Sequence, residues 1–132
     1  EAEPKFPEVV SASDVLNFIA NAKKAPVGQL EHLIEYWEMN SYWKNPISTY
    51  SSGMLKKVSL VSAFLGSPQL IILDEPFILV DVQSTKKIID LINEYHKKSD
   101  VSFLMSSHQE LDAEDIKFDS KFQVKDGKIH LL

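Results

Sequence analysis

A chain of 132 residues, 44% hydrophobic and 25% charged, is long enough for one moderate core and too apolar to remain disordered. Its formal net charge of -5 gives no steering toward nucleic acid or an anionic membrane, and its 14 fixed basic side chains are all lysines, so no arginine is present to clamp a phosphate. The lack of cysteine excludes disulfides, thiol chemistry and cysteine-ligated zinc, and no apolar run approaches the length needed to span a bilayer.

Pro4 and Pro7 mark an extended start that finishes on Val9 and Val10. Ser11 and Asp14 have the spacing of a capping box, and Val15, Leu16, Phe18 and Ile19 give the helix that follows, ending near Asn21 to Lys24, one apolar face. Pro26 opens a second helical pattern carried by Leu30, Leu33, Ile34 and Trp37. Tyr36, Met39, Tyr42 and Trp43 then form an aromatic stretch that either fills the core of a small helical unit or faces a protein partner. Asn45-Pro46 breaks the pattern, and a hydroxyl-rich loop leads into a helix from Gly53 to Phe64, closed by a glycine cap and proline stop at Gly66-Ser67-Pro68. Hydroxyls and a glycine ahead of a helix also suit an anion, because unpaired backbone N–H groups point at its approach.

Leu70 to Leu73, between Pro68 and Pro76, has the profile of a strand buried on both faces. Val80 to Tyr95 is helical by period, and Val101 to Met105 is a second apolar strand ending in Ser106-Ser107-His108. This order predicts an α/β fold with a right-handed parallel crossover. Asp74, Glu75 and His108 all fall just beyond the carboxyl ends of the two strands, where open α/β sheets place their chemistry. After a short segment from Gln109 to Asp115, Phe118 to Val124 and Lys128 to Leu132 are joined across Asp126-Gly127, a strong hairpin signal.

An Asp-Glu pair after an apolar strand has a use in phosphoryl transfer: Asp74 holds a magnesium ion through water, and Glu75 positions or deprotonates the attacking water. A loop or capping role is the competing reading of the same residues. Ser51 and Gly53 are open to a simple helix-cap role, His108 to capping a local carbonyl, and Asp81 to capping the next helix as well. His32, His96 and His130 lack metal-binding partners at useful spacing.

Leu70-Ile71-Ile72-Leu73-Asp74-Glu75-Pro76 resembles the Walker B motif of ATP-binding cassette (ABC) ATPases, and its surroundings agree in order and spacing. Tyr50-Ser51-Ser52-Gly53-Met54 stands where that family has its Leu-Ser-Gly-Gly-Gln signature, with Lys57 where a basic residue commonly follows. Ile78-Leu79-Val80-Asp81 matches the D-loop, His108 the switch histidine and Asp126-Gly127-Lys128-Ile129 the closing hairpin. Residues 6 to 16 resemble the segment after the Q-loop, which puts Glu1 near the Q-loop position. Ser52 departs from the first signature glycine, Met54 from the glutamine, and bulky Ile78 and Leu79 from a usually small or polar D-loop.

The resemblance implies a partial P-loop NTPase fold of the ABC ATPase type. Residues 1–67 would hold the Q-loop-proximal segment and helical subdomain, and 68–132 the later catalytic core. Glu75 and His108 would be catalytic; Ser51, Ser52, Gly53, Asp74 and Asp81 would bind nucleotide; Asp74 would serve Mg2+ through water. The implied partners are ATP, a second ATPase subunit in a head-to-tail dimer and a transmembrane permease subunit docked on the helical subdomain, with no nucleic acid. The implied location is the cytoplasmic face of a membrane. A soluble or regulatory ABC-type ATPase is the alternative. No Gly-x-x-x-x-Gly-Lys-Ser/Thr occurs in the sequence, and the first residue is Glu1 rather than methionine. The expectation is therefore a fragment of an ATPase, inactive alone.

Overall fold

The computed structural model describes residues 9–108 and 116–132. Glu1 and the segment 109–115 lie outside the described residues.

Helix α1 (Ala12–Ala22) starts on the expected capping box, with the Ser11 side chain accepting from the Asp14 backbone N–H and the Asp14 carboxylate accepting from the Ser11 N–H. Helix α2 (Gln29–Tyr36) begins three residues after Pro26, and its N-cap, Gly28, enters the left-handed region with φ 83°. A 3-10 turn over Ile47–Thr49 leads to helix α3 (Ser52–Phe64), capped by Ser51. Leu16, Leu33, Ile34, Trp37, Val58, Val61 and Phe64 close a shared core between these helices. Trp37 and Met39 are fully buried, so the aromatic stretch packs inward at those two positions, while Tyr42 and Trp43 are half-buried. Burial pushes the Tyr42 hydroxyl up to about 12 and keeps it neutral.

The end of α3 differs from the expected glycine cap. Its last residue is followed by Leu65 in an extended conformation, and Gly66, with φ 87°, comes after that. The Gln29 side chain supplies the missing partners: its Oε1 accepts from Gly66 N–H at 2.7 Å, and its Nε2 donates to Gly66 O at 2.9 Å and to Tyr95 Oη at 3.2 Å. One amide thus joins the start of α2, the exit of α3 and the following helix. A Cβ at residue 66 would come within 3.0 Å of Lys23 Cβ, so close approach as well as φ requires glycine there.

Strand β1 (Leu70–Leu73) pairs in parallel with β2 (Ser102–Met105), linked by α4 (Val82–Ser99) as the strand-helix-strand order predicts. Helix α4 starts at Val82 rather than Val80, because Asp81 takes the cap and its carboxylate accepts from Ser84 N–H at 2.7 Å. Phe64 joins the helices to the sheet, lying edge-on to Tyr95 with centroids 5.0 Å apart and 6.0 Å from Phe103. Tyr36 and Lys87 hold α2 to α4 reciprocally: Tyr36 Oη donates to Lys87 O at 2.8 Å, and Lys87 Nζ to Tyr36 O at 2.9 Å.

Burial on both faces of β1 is not what the structure has. Ile71 and Leu73 are buried, but Leu70 is 51% and Ile72 65% exposed, as is Leu104 of β2 at 56%. Successive side chains point to opposite faces, and among the described residues only one face is covered. Strands β3 (Phe122–Lys125) and β4 (Lys128–Leu131) form the antiparallel hairpin, with Asp126 and Gly127 both at positive φ. The first of them starts at Phe122, four residues later than the apolar pattern suggests.

Replacing Trp37 by alanine is expected to destabilise the chain by about 3–5 kcal/mol, read from urea unfolding, since a fully buried ring leaves a large cavity. A pH effect follows from the caps. Hydrogen bonds from Ser84 hold the Asp81 carboxyl below its ordinary value of 3.8, and those from Ser11 do the same for Asp14. A carboxyl that titrates lower when folded supports the fold fully above its unfolded value and loses that support as pH falls through its folded one. Asp81→Asn keeps a capping oxygen that does not titrate. Urea midpoints measured from neutral pH downward should therefore fall less steeply below about pH 4 in that variant.

Candidate functional site

The parallel ladder builds the site. Leu73 stands opposite Met105, and the next step of the pairing continues as Ser106 N–H donates to Leu73 O at 3.0 Å. Asp74 and Glu75 leave β1 beside the residues that leave β2. The Ser106 hydroxyl donates to Asp74 Oδ1 at 2.5 Å and accepts from Glu75 N–H at 3.0 Å. The Glu75 carboxylate in turn meets His108: its Oε2 accepts from the His108 backbone N–H at 3.3 Å, and its Oε1 lies 3.5 Å from His108 Nε2. The Glu75 side chain is 19% exposed and that of His108 89%, so the carboxylate is held under an imidazole that remains open to solvent.

Glu75 has φ 46°, an uncommon value for a residue with a side chain. Its carbonyl accepts from Lys56 Nζ of α3 at 2.6 Å, and also from Ile78 N–H at 3.3 Å in the turn that follows. Pro76 and Phe77 are buried behind it, and Leu79 adopts a second positive φ, 64°. The peptide around Glu75 is therefore held by α3 on one side and by the end of β2 on the other.

The other candidates gather a short way along the same connection. Ser51, Gly53, Met54, Lys57, Leu79 and Asp81 line one open cavity of about 210 Å3. A Cβ placed on Gly53 would lie 3.7 Å from Leu79 O, an ordinary contact, so the start of α3 and the loop before α4 are close neighbours. The Ser51 hydroxyl accepts from Met54 N–H at 3.3 Å, and Asp81 caps α4, so both also have the helix-cap role open to them in the sequence. Ser52 is the exposed first residue of α3. Asp74, Glu75 and His108 thus form one group, and Ser51, Gly53 and Asp81 another, with Lys56 reaching from the helix of the second to the backbone of the first.

Among the described residues no group of three or more His, Cys, Asp or Glu could hold a metal ion. Asp74, exposed and accepting through Oδ1, offers a single carboxylate. That donor set does not fit a resident metal cage, but it does fit magnesium bound chiefly by phosphate oxygens and water, which needs only one or two carboxylates. Ser106 was not among the sequence candidates. The available signal was the strand register, since pairing Leu73 with Met105 puts a hydroxyl opposite Asp74.

Known proteins share sequence and fold with this chain. The chain is 33% identical over 94 residues to the zinc import ATP-binding protein ZnuC of Wolbachia sp. subsp. Brugia malayi (strain TRS), covering 71% of this chain and 38% of that protein. It is 27% identical over 132 aligned residues to the uncharacterized ABC transporter ATP-binding protein YthP of Bacillus subtilis (strain 168), covering 97% of this chain and 55% of the relative. A solved ATP-binding subunit of an ABC transporter superposes on the whole chain with a TM-score of 0.84 and 26% identity, and the chain spans 57% of it. A putative metal-chelate type ABC transporter in an inward-facing conformation shares the fold, with a TM-score of 0.74, 14% identity and coverage of 96% of this chain and 53% of that one. The chain therefore spans less than two thirds of each of these relatives. The family model described as ABC transporter matches residues 4–78, more than half of the 132, and the chain belongs to that family.

Proposed function

We propose that this chain is the signature-to-switch portion of an ATPase subunit that hydrolyses ATP to power a membrane transporter. The observation that carries this reading is the Glu75 carboxylate, tied beside Asp74 at the end of β1 and 3.5 Å from the imidazole nitrogen of His108. Glu75 serves as the base that orients and deprotonates the attacking water, and His108 stands where it can meet the transferred phosphoryl group. Asp74 would offer one carboxylate to a magnesium ion accompanying ATP, which would supply charge neutralisation at the phosphates.

In this reading the N-terminus of α3, with Ser51, Ser52 and Gly53, faces ATP held by a second subunit; the support is that backbone N–H groups and the helix dipole there favour an anion. Asp81 lines the same cavity as Ser51 and Gly53, which supports a shared role at that subunit boundary. In this reading the helical part, residues 1–67, meets a transmembrane permease, and the later part, 68–132, carries the hydrolytic side chains. No helix among the described residues is long and apolar enough to cross a membrane, so membrane contact in this reading comes through a partner at the cytoplasmic face. A regulatory or non-transport role is favoured by one feature, Ser52 and Met54 in place of the family's glycine and glutamine. Association with a membrane subunit on reconstitution separates the two readings; no association with any candidate supports the second.

The 132 residues contain no Gly-x-x-x-x-Gly-Lys-Ser/Thr to cradle phosphates. Titration calorimetry of this chain with Mg-ATP is expected to give no micromolar binding, and such binding would overturn that expectation. In the complete subunit, Glu75→Gln should lower steady-state hydrolysis by about 10²- to 10⁴-fold while leaving nucleotide binding nearly unchanged. Hydrolysis at the parent rate would remove Glu75 from the mechanism.

A further inference from the structure

We propose that Ser106 is a positioning residue whose hydroxyl locks the Asp74 carboxylate and the Glu75 backbone into one relative geometry; the inference rests on the roles proposed above for those two carboxylates. The hydroxyl uses both of its capacities at once. It donates to Asp74 Oδ1 at 2.5 Å and accepts from Glu75 N–H at 3.0 Å, so a single oxygen couples the side chain of one residue to the main chain of the next. A hydrogen bond to a carboxylate is among the stronger kinds.

Glu75 is the residue that needs such a hold. Its φ of 46° is disfavoured for a side-chain-bearing residue and persists only where surrounding contacts over-determine it. Ser106 grips the N–H of that residue and Lys56 its carbonyl, from two different elements. The Ser106 main chain is itself anchored, because its N–H donates to Leu73 O at 3.0 Å as the continuation of the β1–β2 ladder. Rigidity in the sheet is thus passed by one hydroxyl to the Asp74 carboxylate and the Glu75 backbone, and through Glu75 to its contact with His108. Alanine at 106 would leave Asp74 Oδ1 without this donor and Glu75 N–H without this acceptor. Threonine keeps the hydroxyl, and residue 106 is exposed and beyond the end of β2, where an added methyl is tolerated.

The test uses Ser106→Ala and Ser106→Thr with two readouts. In this chain, NMR-detected hydrogen exchange of the Glu75 amide is expected to quicken at least about tenfold in Ser106→Ala and to stay within about twofold of the parent in Ser106→Thr. In the complete ATPase subunit, Ser106→Ala is expected to lower kcat at least about tenfold with the KM for ATP moved less than about threefold, and Ser106→Thr to restore kcat. Unchanged Glu75 exchange in the alanine variant, or a threonine variant as impaired as alanine, overturns the proposal. Glu75→Gln is the control that separates the two levels of inference. If it abolishes hydrolysis while Ser106→Ala does not reduce it, Ser106 is excluded and the site reading stands. If it leaves hydrolysis intact, the site reading fails together with any catalytic consequence of Ser106, and amide exchange alone decides whether the hydroxyl holds the backbone.

Discussion

The backbone ladder between β1 and β2 sets Leu73 opposite Met105, and every contact in the carboxylate group follows from that register. Asp74 and Ser106 become neighbours, Glu75 is drawn back by its N–H, and His108, two residues further on, reaches the Glu75 carboxylate. A slip of one residue would send alternate side chains to the opposite face and take Ser106 away from Asp74. Ile71 and Leu73 resist such a slip, since both are buried against the helices. The site is thus a consequence of strand pairing, which is itself held by one-sided hydrophobic burial.

That burial depends in turn on how α2, α3 and α4 are joined. Phe64 closes the contact between α3, Tyr95 of α4 and Phe103 of β2, while Gln29 satisfies the polar groups at the exit of α3 with its side-chain amide. A buried helix end without partners would be costly, and Gln29 removes that cost while tying three elements together. Lys56 extends this connection to Glu75, so the helix capped by Ser51 and the backbone just past the end of β1 share a direct link. Movement at the start of α3 has a physical route to the Glu75 backbone.

The departures from the family pattern take different forms in three dimensions. Leu79 is exposed and sits at φ 64°, an unfavourable backbone for a leucine, in the wall of the cavity shared with Gly53. Ser52 is exposed at the first turn of α3 and Met54 lines that cavity, so both lie where the proposed function would have a second subunit approach. They change the chemistry offered there, an added hydroxyl at one position and a lost amide at the other, without entering the core.

Much of this was legible along the chain. The capping box at Ser11 and Asp14, the four-residue strand Leu70–Leu73, the parallel crossover and the Asp-Gly hairpin all depend on interactions within a few residues or on side-chain period, and such local physics is written in sequence. So was the placing of Asp74, Glu75 and His108 beyond strand ends. What only the tertiary structure decided are the contacts between residues far apart in sequence: Gln29 closing α3 in place of the expected glycine cap, Lys56 on the Glu75 carbonyl, and Ser106 between the Asp74 carboxylate and the Glu75 N–H. The exposed face of β1 belongs with them. An apolar run states that a strand is suited to burial, whereas which of its faces is covered depends on what packs there, and no periodicity within Leu70–Leu73 contains that information.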